Sequence, residues 1–169
     1  HPRYNISMKL PILYSLQHCP YAMRARLGLL LADQQVLLRA IVMKSKPEEM
    51  LAVSPKGTVP VLILPDETVI DESLDIMKWA LQCSDPEALL PERGSIQERQ
   101  QFELVAANDN EFKHWLDRYK YADRYPAHDT LYYRQQAESC IAALEQLLDR
   151  QAYLAGARFG FADLAIMPF

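Results

Sequence analysis

The sequence predicts an α/β half followed by an all-helical half, and three observations lead to this division. Short apolar runs in the first half follow the order strand–helix–strand and then strand–strand–helix. The segment 84–94 holds two prolines and a glycine, which is typical of a linker. Beyond it the apolar residues recur at helical spacing. We therefore predict an α/β domain at 1–83, a linker at 84–94 and a helical domain at 95–169.

Composition excludes several classes of function. The chain has 169 residues, 50% hydrophobic and 24% charged, with a net charge of −4, which is typical of a globular protein with a core. No basic tract is present, so we expect no nucleic-acid partner. The longest apolar runs, 27–32 and 59–64, are too short to cross a bilayer. The chain lacks an initial Met and stops at Phe169 within an apolar, helical segment, so we expect a truncated helical domain with further protein downstream.

The α/β half divides into four strands and three helices. Pro20 suits the first turn of the first helix, and Ser45 with Glu48 has the spacing of a capping box before the second. We expect Asp71 to cap the third helix, which ends near Cys83. Strands are expected at 10–14, 36–42, 59–64 and from Val69. The expected apolar faces are Cys19, Met23, Leu27 and Leu30 on the first helix and Leu74, Met77 and Leu81 on the third.

The helical half begins with a capping box at Ser95 and Glu98. Asn108–Asn110 interrupts the apolar stripe of the long helix that follows, which predicts a cleft or partner on that side. At the end of the chain we expect Gly160 to cap a helix with Asp163 at its third position, and Phe159 to pack on Leu164. The two helical stripes are Phe102, Val105, Phe112, Leu116 and Tyr119, then Ala137, Ile141, Leu144 and Leu148.

Cys19 is the candidate reactive group. It directly precedes Pro20 at a helix start, where the helix dipole and the free N–H groups of the first turn favour thiolate over thiol. A thiolate attacks sulfur or electrophilic carbon. The alternative is a small, packed side chain, which is the common fate of a free cysteine. Cys83 and Cys140 lack this context, and the three cysteines show neither metal-ligand spacing nor a disulfide framework, so a reducing cytoplasm is the simplest location.

The neighbourhood of Cys19 constrains its chemistry. Ala22 occupies the second position of a Cys-x-x-Cys pair, so an internal disulfide is impossible there and a second thiol must come from another molecule. Arg24 and Arg26, on the same helix, are placed to add positive field.

The stretch Tyr14–Leu27, YSLQHCPYAMRARL, resembles the cysteine-type, omega-like glutathione transferases. The resemblance continues in family order through Lys46-Pro47-Glu48, then the segment 55–62, then Asp71-Glu72-Ser73. Gly160-x-x-Asp163 resembles the folding motif of the family's helical half, where the cap is usually Ser or Thr.

The resemblance implies a thioredoxin-like domain followed by a helical domain, with glutathione as co-substrate and no metal. Cys19 would face the glutathione sulfur, with Tyr21 beside it, and Lys46 would meet the glycyl carboxylate. The backbone of Val59, before a cis Pro60, would pair with the cysteinyl part. Glu72 and Ser73 would hold the γ-glutamyl end. The family is commonly dimeric, which makes a homodimer the expected assembly.

A cysteine at this position favours thiol transfer on glutathione mixed disulfides over conjugation. The second partner would be a small-molecule or protein disulfide or an electrophile. The remaining hypotheses are a two-domain glutaredoxin-like oxidoreductase, which the chain also resembles, and a regulatory or binding module without glutathione chemistry. Phe112, Trp115 and Tyr119 are candidates for the lining of the second-substrate site. The alternative is that they lie in the core, as aromatic residues at helical spacing usually do.

Overall fold

A computed structural model describes residues 9–169; residues 1–8 of the predicted domain 1–83 lie outside the described part. The chain divides into two compact units, the first ending at Glu87 and the second spanning Ala88–Phe169. The first contains β1 (Ile12–Ser15), α1 (Pro20–Leu31), β2 (Leu37–Ala40), α2 (Glu48–Val53), β3 (Val61–Ile63), β4 (Val69–Ile70) and α3 (Ser73–Cys83). The second contains α4 (Ile96–Ala107), a π-helical segment (Asn108–Phe112), α5 (Lys113–Lys120), a 3₁₀ turn (Ala122–Arg124), α6 (Thr130–Leu148) and α7 (Phe161–Ile166).

The sheet has four strands in the order β2-β1-β3-β4. β1 pairs parallel with β2 and antiparallel with β3, and β3 pairs antiparallel with β4. Leu13 in β1 and Leu62 in β3 lie opposite each other and are fully buried, whereas Leu38 on the edge strand β2 is 58% exposed. This is the predicted α/β arrangement, a thioredoxin-like sheet with its helices, and it is followed by a helical part.

The inner face of α1 differs from the predicted stripe. Ala22, Ala25 and Gly28 are buried, whereas Leu30 is 69% exposed. α1 packs against α3. A Cβ atom at Gly28 would lie 2.7 Å from Cγ of Met77. The two helices approach so closely at this point that only glycine fits. The larger residues of the predicted stripe are therefore not the ones that α1 buries against α3.

Two predicted helix caps are wrong. Ser45 forms a β-bridge with Val42, and α2 begins after Pro47 with no side-chain cap. α3 begins after Glu72 rather than Asp71. The Asp71 carboxylate instead accepts a hydrogen bond from Oγ of Ser54 at 2.9 Å, a partner distant in sequence. On α3 the buried residues are Ser73, Ile76, Met77, Ala80 and Leu81, with Leu74 half-buried.

The cap at Ser95 is confirmed. Its Oγ accepts a hydrogen bond from the Glu98 amide at 3.0 Å, and the Glu98 carboxylate accepts one from the Gly94 amide at 3.0 Å. The predicted interruption at Asn108 is the π-helical segment between α4 and α5. Trp115 is half-buried and packs against Tyr132 and Tyr133. On α6, Ala137 is buried and Leu144 half-buried, whereas Ile141 and Leu148 are exposed.

Asp163 organises the start of α7. Its carboxylate accepts hydrogen bonds from the amides of Leu154 at 2.7 Å, Gly160 at 3.0 Å and Ala155 at 3.1 Å. A Cβ atom at Gly160 would lie 2.5 Å from Cβ of Ala155 and 3.2 Å from Oε1 of Gln101. Glycine therefore replaces the usual Ser or Thr cap because no space is left for a side chain.

Within residues 9–169, none of the helices has the length and apolar character needed to span a bilayer.

We expect Gly160→Ser to destabilise the protein by about 1–3 kcal/mol, the usual cost of overpacking, although Ser is a good N-cap residue. Urea unfolding measures the change. Ala155→Gly removes the atom that the new Cβ would meet, so the double variant should recover part of the loss. Unchanged stability of the single variant would contradict the close approach seen here.

Candidate functional site

Cys19 is the N-cap residue of α1, and Pro20 follows it in the first turn. The Cys19 amide donates to the carbonyl of Leu16 at 3.3 Å, and its carbonyl accepts the first helical bond from Met23 at 2.9 Å. Cys19 is a free cysteine and the residue is half-buried, and its side chain makes no hydrogen bond to the helix's first turn. That turn carries no acidic residue. The sulfur therefore lies at the positive end of the helix dipole.

Arg26 holds the loop that carries Cys19. Its guanidinium donates to Oγ of Ser15 at 2.5 Å, to the carbonyl of Leu16 at 3.0 Å and to that of Gln17 at 2.9 Å. The three acceptors belong to the last residue of β1 and to the loop that leads to α1. Arg26 thus fixes the loop geometry, a role that the sequence alone does not indicate.

Arg24 is fully buried and links α1 to the start of α3. Its Nη1 donates to Oγ of Ser73 at 3.3 Å, and its guanidinium carbon lies 5.7 Å from the centre of the Tyr21 ring. Ser73 is itself 4% exposed. Two predicted ligand residues, Tyr21 and Ser73, are therefore connected through one buried cation.

Val59 and Pro60 form the buried segment that enters β3. Their peptide bond is cis. Among the described residues, the amide and the carbonyl of Val59 make no backbone hydrogen bond. Cys19 packs against the apolar cluster that contains Val59, Tyr14 and Val61. The structure therefore brings Cys19 and Val59 into one cluster.

Lys46 lies over the turn that precedes Val59. Gly57 has φ +64°, a conformation that favours glycine, and a Cβ atom there would lie 3.1 Å from Nζ of Lys46 and 3.2 Å from Cδ2 of Leu51. Lys46 is half-buried. Its ammonium therefore lies beside this turn.

Glu72 is paired with Lys56, which the sequence analysis did not single out. Nζ of Lys56 lies 2.5 Å from Oε1 of Glu72 and 3.5 Å from Oδ1 of Asp71. The hydrogen bond to Glu72 is the main cause of a raised pKa at Lys56, the charges of Glu72 and Asp71 add to it, and partial burial opposes it. Glu72 remains 67% exposed, so its carboxylate keeps room for a second cation.

The predicted site residues thus fall into four contacts within the first unit: Cys19 with Val59, Tyr21 and Ser73 through Arg24, Lys46 with the turn at Gly57, and Glu72 with Lys56. The sequence analysis named Arg24 as a source of positive field, but its burial and its contact with Ser73 were not predicted, because arginine within a helix usually lies at the surface. Lys56 could have been identified from the sequence, since it lies inside the 55–62 segment on which the family resemblance rests.

The other cysteines differ from Cys19. Cys83 is exposed, and Cys140 is half-buried in the helical unit. Burial, followed by the nearby Glu111 carboxylate, raises the pKa of the Cys140 thiol. Between residues 9 and 169, no three His, Cys, Asp or Glu side chains converge as a metal site would require.

Comparison with known proteins links the first unit to one family. Residues 13–88 match the family model described as the glutathione S-transferase N-terminal domain. No curated protein matches the chain.

Solved glutathione transferases share the fold. One from Pseudomonas fluorescens has 20% identity and a TM-score of 0.78, covering 95% of this chain and 83% of that one. Transferase Omega 1C from Trametes versicolor has 19% identity and a TM-score of 0.79, covering 95% and 69%. A Phanerochaete chrysosporium transferase, solved with oxidized glutathione, has 18% identity and a TM-score of 0.81, covering 96% and 78%. At these identities the likeness establishes the fold.

We expect Arg26→Met to lower the free energy of unfolding by about 2 kcal/mol, because the loop loses hydrogen bonds from a charged donor. Denaturant unfolding measures the loss. Arg39→Met, on the exposed edge strand β2, is the matched control and should stay within about 0.5 kcal/mol of the native protein. Equal stability of the two variants would show that Arg26 does not hold the loop.

Proposed function

We propose that this protein is a glutathione transferase of the cysteine type, acting as a glutathione-dependent thiol transferase with Cys19 as nucleophile. The observation that carries the proposal is the half-buried Cys19 at the start of α1, packed against one cluster with Val59, which precedes a cis proline. The family match over residues 13–88 and the fold support it.

Glutathione would bind along residues of the domain 1–83, with the helical domain at 95–169 following a linker. The unpaired backbone groups of Val59 are suited to the peptide groups of the cysteinyl part, which would bring the glutathione sulfur toward Cys19. Lys46 suits the glycyl carboxylate. Glu72 suits the γ-glutamyl ammonium, and Ser73, in the first turn of α3, suits its carboxylate. Tyr21 completes the set.

The reaction follows from a single thiol at the site. The Cys19 thiolate attacks the glutathionyl sulfur of a mixed disulfide, a Cys19–glutathione disulfide forms, and the former partner leaves as a thiolate that takes a proton from water. A second glutathione thiolate then attacks this disulfide, which yields oxidized glutathione and restores the Cys19 thiolate. Ala22 at the Cys-x-x-Cys position leaves resolution to the second glutathione.

The proposal extends to the setting of the protein. Reduced glutathione is needed as co-substrate, so a reducing compartment such as the cytoplasm suits the chemistry. The partner is a small-molecule or protein disulfide. The related Leishmania transferase is described as trimeric, and for this chain we propose the homodimer that the family resemblance implies, which sedimentation velocity tests.

A two-domain glutaredoxin-like oxidoreductase would share the step at Cys19 and differ in its substrates, which kinetic comparison of protein and small-molecule disulfides distinguishes. A binding or regulatory module without this chemistry would neither be retained on immobilised glutathione nor carry a glutathione adduct on Cys19, as detected by mass spectrometry.

We expect Cys19→Ser to reduce thiol transfer from a glutathione mixed disulfide by at least about 100-fold, because a serine hydroxyl stays protonated and cannot form the disulfide. Retention on immobilised glutathione should persist. Cys83→Ser, an exposed cysteine outside the site, is the control and should retain full activity. Full activity of the Cys19 variant would contradict the assignment of Cys19 as the nucleophile.

We expect Lys46→Met to weaken glutathione binding by about tenfold, the scale of one charge-assisted hydrogen bond. Calorimetry on glutathione and on its glycine amide, which lacks the glycyl carboxylate, isolates this contact. The variant should bind both ligands alike, whereas native protein and the control Lys44→Met should prefer glutathione. A preference that survives in Lys46→Met would exclude Lys46 from the carboxylate site.

A further inference from the structure

Lys56 is a cation next to the start of α3 to which the proposed function assigns no role. It lies in the turn between α2 and Val59. Its Nζ lies 2.5 Å from Oε1 of Glu72 and 3.5 Å from Oδ1 of Asp71. Lys56 and Glu72 are 16 residues apart in sequence, so the fold produces this ion pair and local spacing does not. The pair therefore links the segment that leads to Val59 with the start of α3.

Two hydrogen bonds hold the turn that carries Lys56. The Gly57 amide donates to the carbonyl of Ser54 at 3.1 Å, which closes the turn around Lys56. Oγ of Ser54 donates to Oδ2 of Asp71 at 2.9 Å, and Ser54 is 1% exposed. The turn is thus attached to Asp71 by a buried hydroxyl, which keeps the Lys56 ammonium beside Glu72.

The Lys56–Glu72 pair has unused hydrogen-bonding capacity. An ammonium has three N–H donors, and among the described residues Lys56 has two carboxylate partners, Glu72 and Asp71. In the same part of the chain Glu72 accepts this bond through Oε1, and Oε2 remains for another donor. The two side chains are 39% and 67% exposed, so a ligand can reach both. A cation and an anion side by side match the two opposite charges of an α-amino acid group.

We propose that Lys56 determines specificity at the γ-glutamyl end of glutathione: its third donor bonds to the α-carboxylate, while the Glu72 carboxylate bonds to the α-ammonium. This inference rests on the proposed function, and it adds a cation to the Ser73 hydroxyl assigned to the same carboxylate. The substrates are then thiols and disulfides with an intact, zwitterionic γ-glutamyl group. A ligand that lacks either charge leaves Lys56 or Glu72 without its partner and binds less well.

The alternative arrangement is one in which Lys56 competes with the ligand ammonium for Glu72. Two features favour the first arrangement. Lys56 has a second carboxylate, Asp71, so it keeps a partner when Glu72 turns an oxygen to the ligand. Without the Lys56 charge, Asp71 and Glu72 would be two neighbouring anions beside the α-carboxylate, and like charges would repel it.

The test measures by calorimetry how the protein binds glutathione and two analogues. The analogue 4-aminobutyryl-cysteinylglycine lacks the α-carboxylate, and glutaryl-cysteinylglycine lacks the α-ammonium. We expect the native protein to prefer glutathione over both. Lys56→Met should reduce the preference over the 4-aminobutyryl analogue by about tenfold, the scale of one charge-assisted hydrogen bond, and should retain the preference over the glutaryl analogue.

Two further variants complete the test. Lys56→Arg keeps the cation and should keep most of the preference over the 4-aminobutyryl analogue. Lys44→Met removes a cation from the exposed surface and should behave as the native protein does. A Lys56→Met variant with the native preference, or with tighter binding of glutathione, would overturn the role of Lys56 and leave the proposed function intact. If the native protein bound none of the three ligands, the proposed function itself would fail, and this inference with it.

Discussion

The close packing of α1 on α3 fixes the start of one helix relative to the start of the other. Gly28 meets Met77 with no room for a Cβ atom. Helices that approach this closely have little freedom to slide or rotate. The start of α1, and with it Cys19, is therefore fixed relative to the start of α3, where Glu72 and Ser73 lie.

Electrostatics at the two helix starts follow from this packing. Buried Arg24 bonds to the Ser73 hydroxyl across the contact, and Lys56 bonds to Glu72 at the adjoining turn. Both cations lie near groups that we assign to the γ-glutamyl end of glutathione.

Sequence patterns predicted the features that depend on neighbouring residues. The strand–strand–helix order of β3, β4 and α3, the Ser95 cap and Asp163 at the start of α7 all rest on signals within a few residues, and the structure contains each of them. The features that failed depend on distant partners. Asp71 was expected to cap α3, but its carboxylate accepts a hydrogen bond from Ser54 instead. On α1, Met77 of α3 leaves no space for a side chain at position 28.

The site shows the same division. Cys19 was recognisable because its signal, Pro20 at the start of a predicted helix, lies in the adjacent residues. Lys46 and Glu72 were identified from the ordered family resemblance. The contact of Arg24 with Ser73 could not be predicted this way, since it joins two helices that the spacing of residues along the chain does not relate. Asn108 was marked by polarity within an apolar stripe, and only the structure shows that its oxygen is buried and unpaired.

The central claim is that a bound tripeptide places its sulfur within bonding distance of Cys19. The most direct measurement is a crystal structure of the protein treated with oxidized glutathione. We predict a disulfide between Sγ of Cys19 and the glutathione sulfur at about 2.05 Å, with the tripeptide backbone paired to Val59. An unmodified Cys19, with the tripeptide absent or bound elsewhere, would contradict the account.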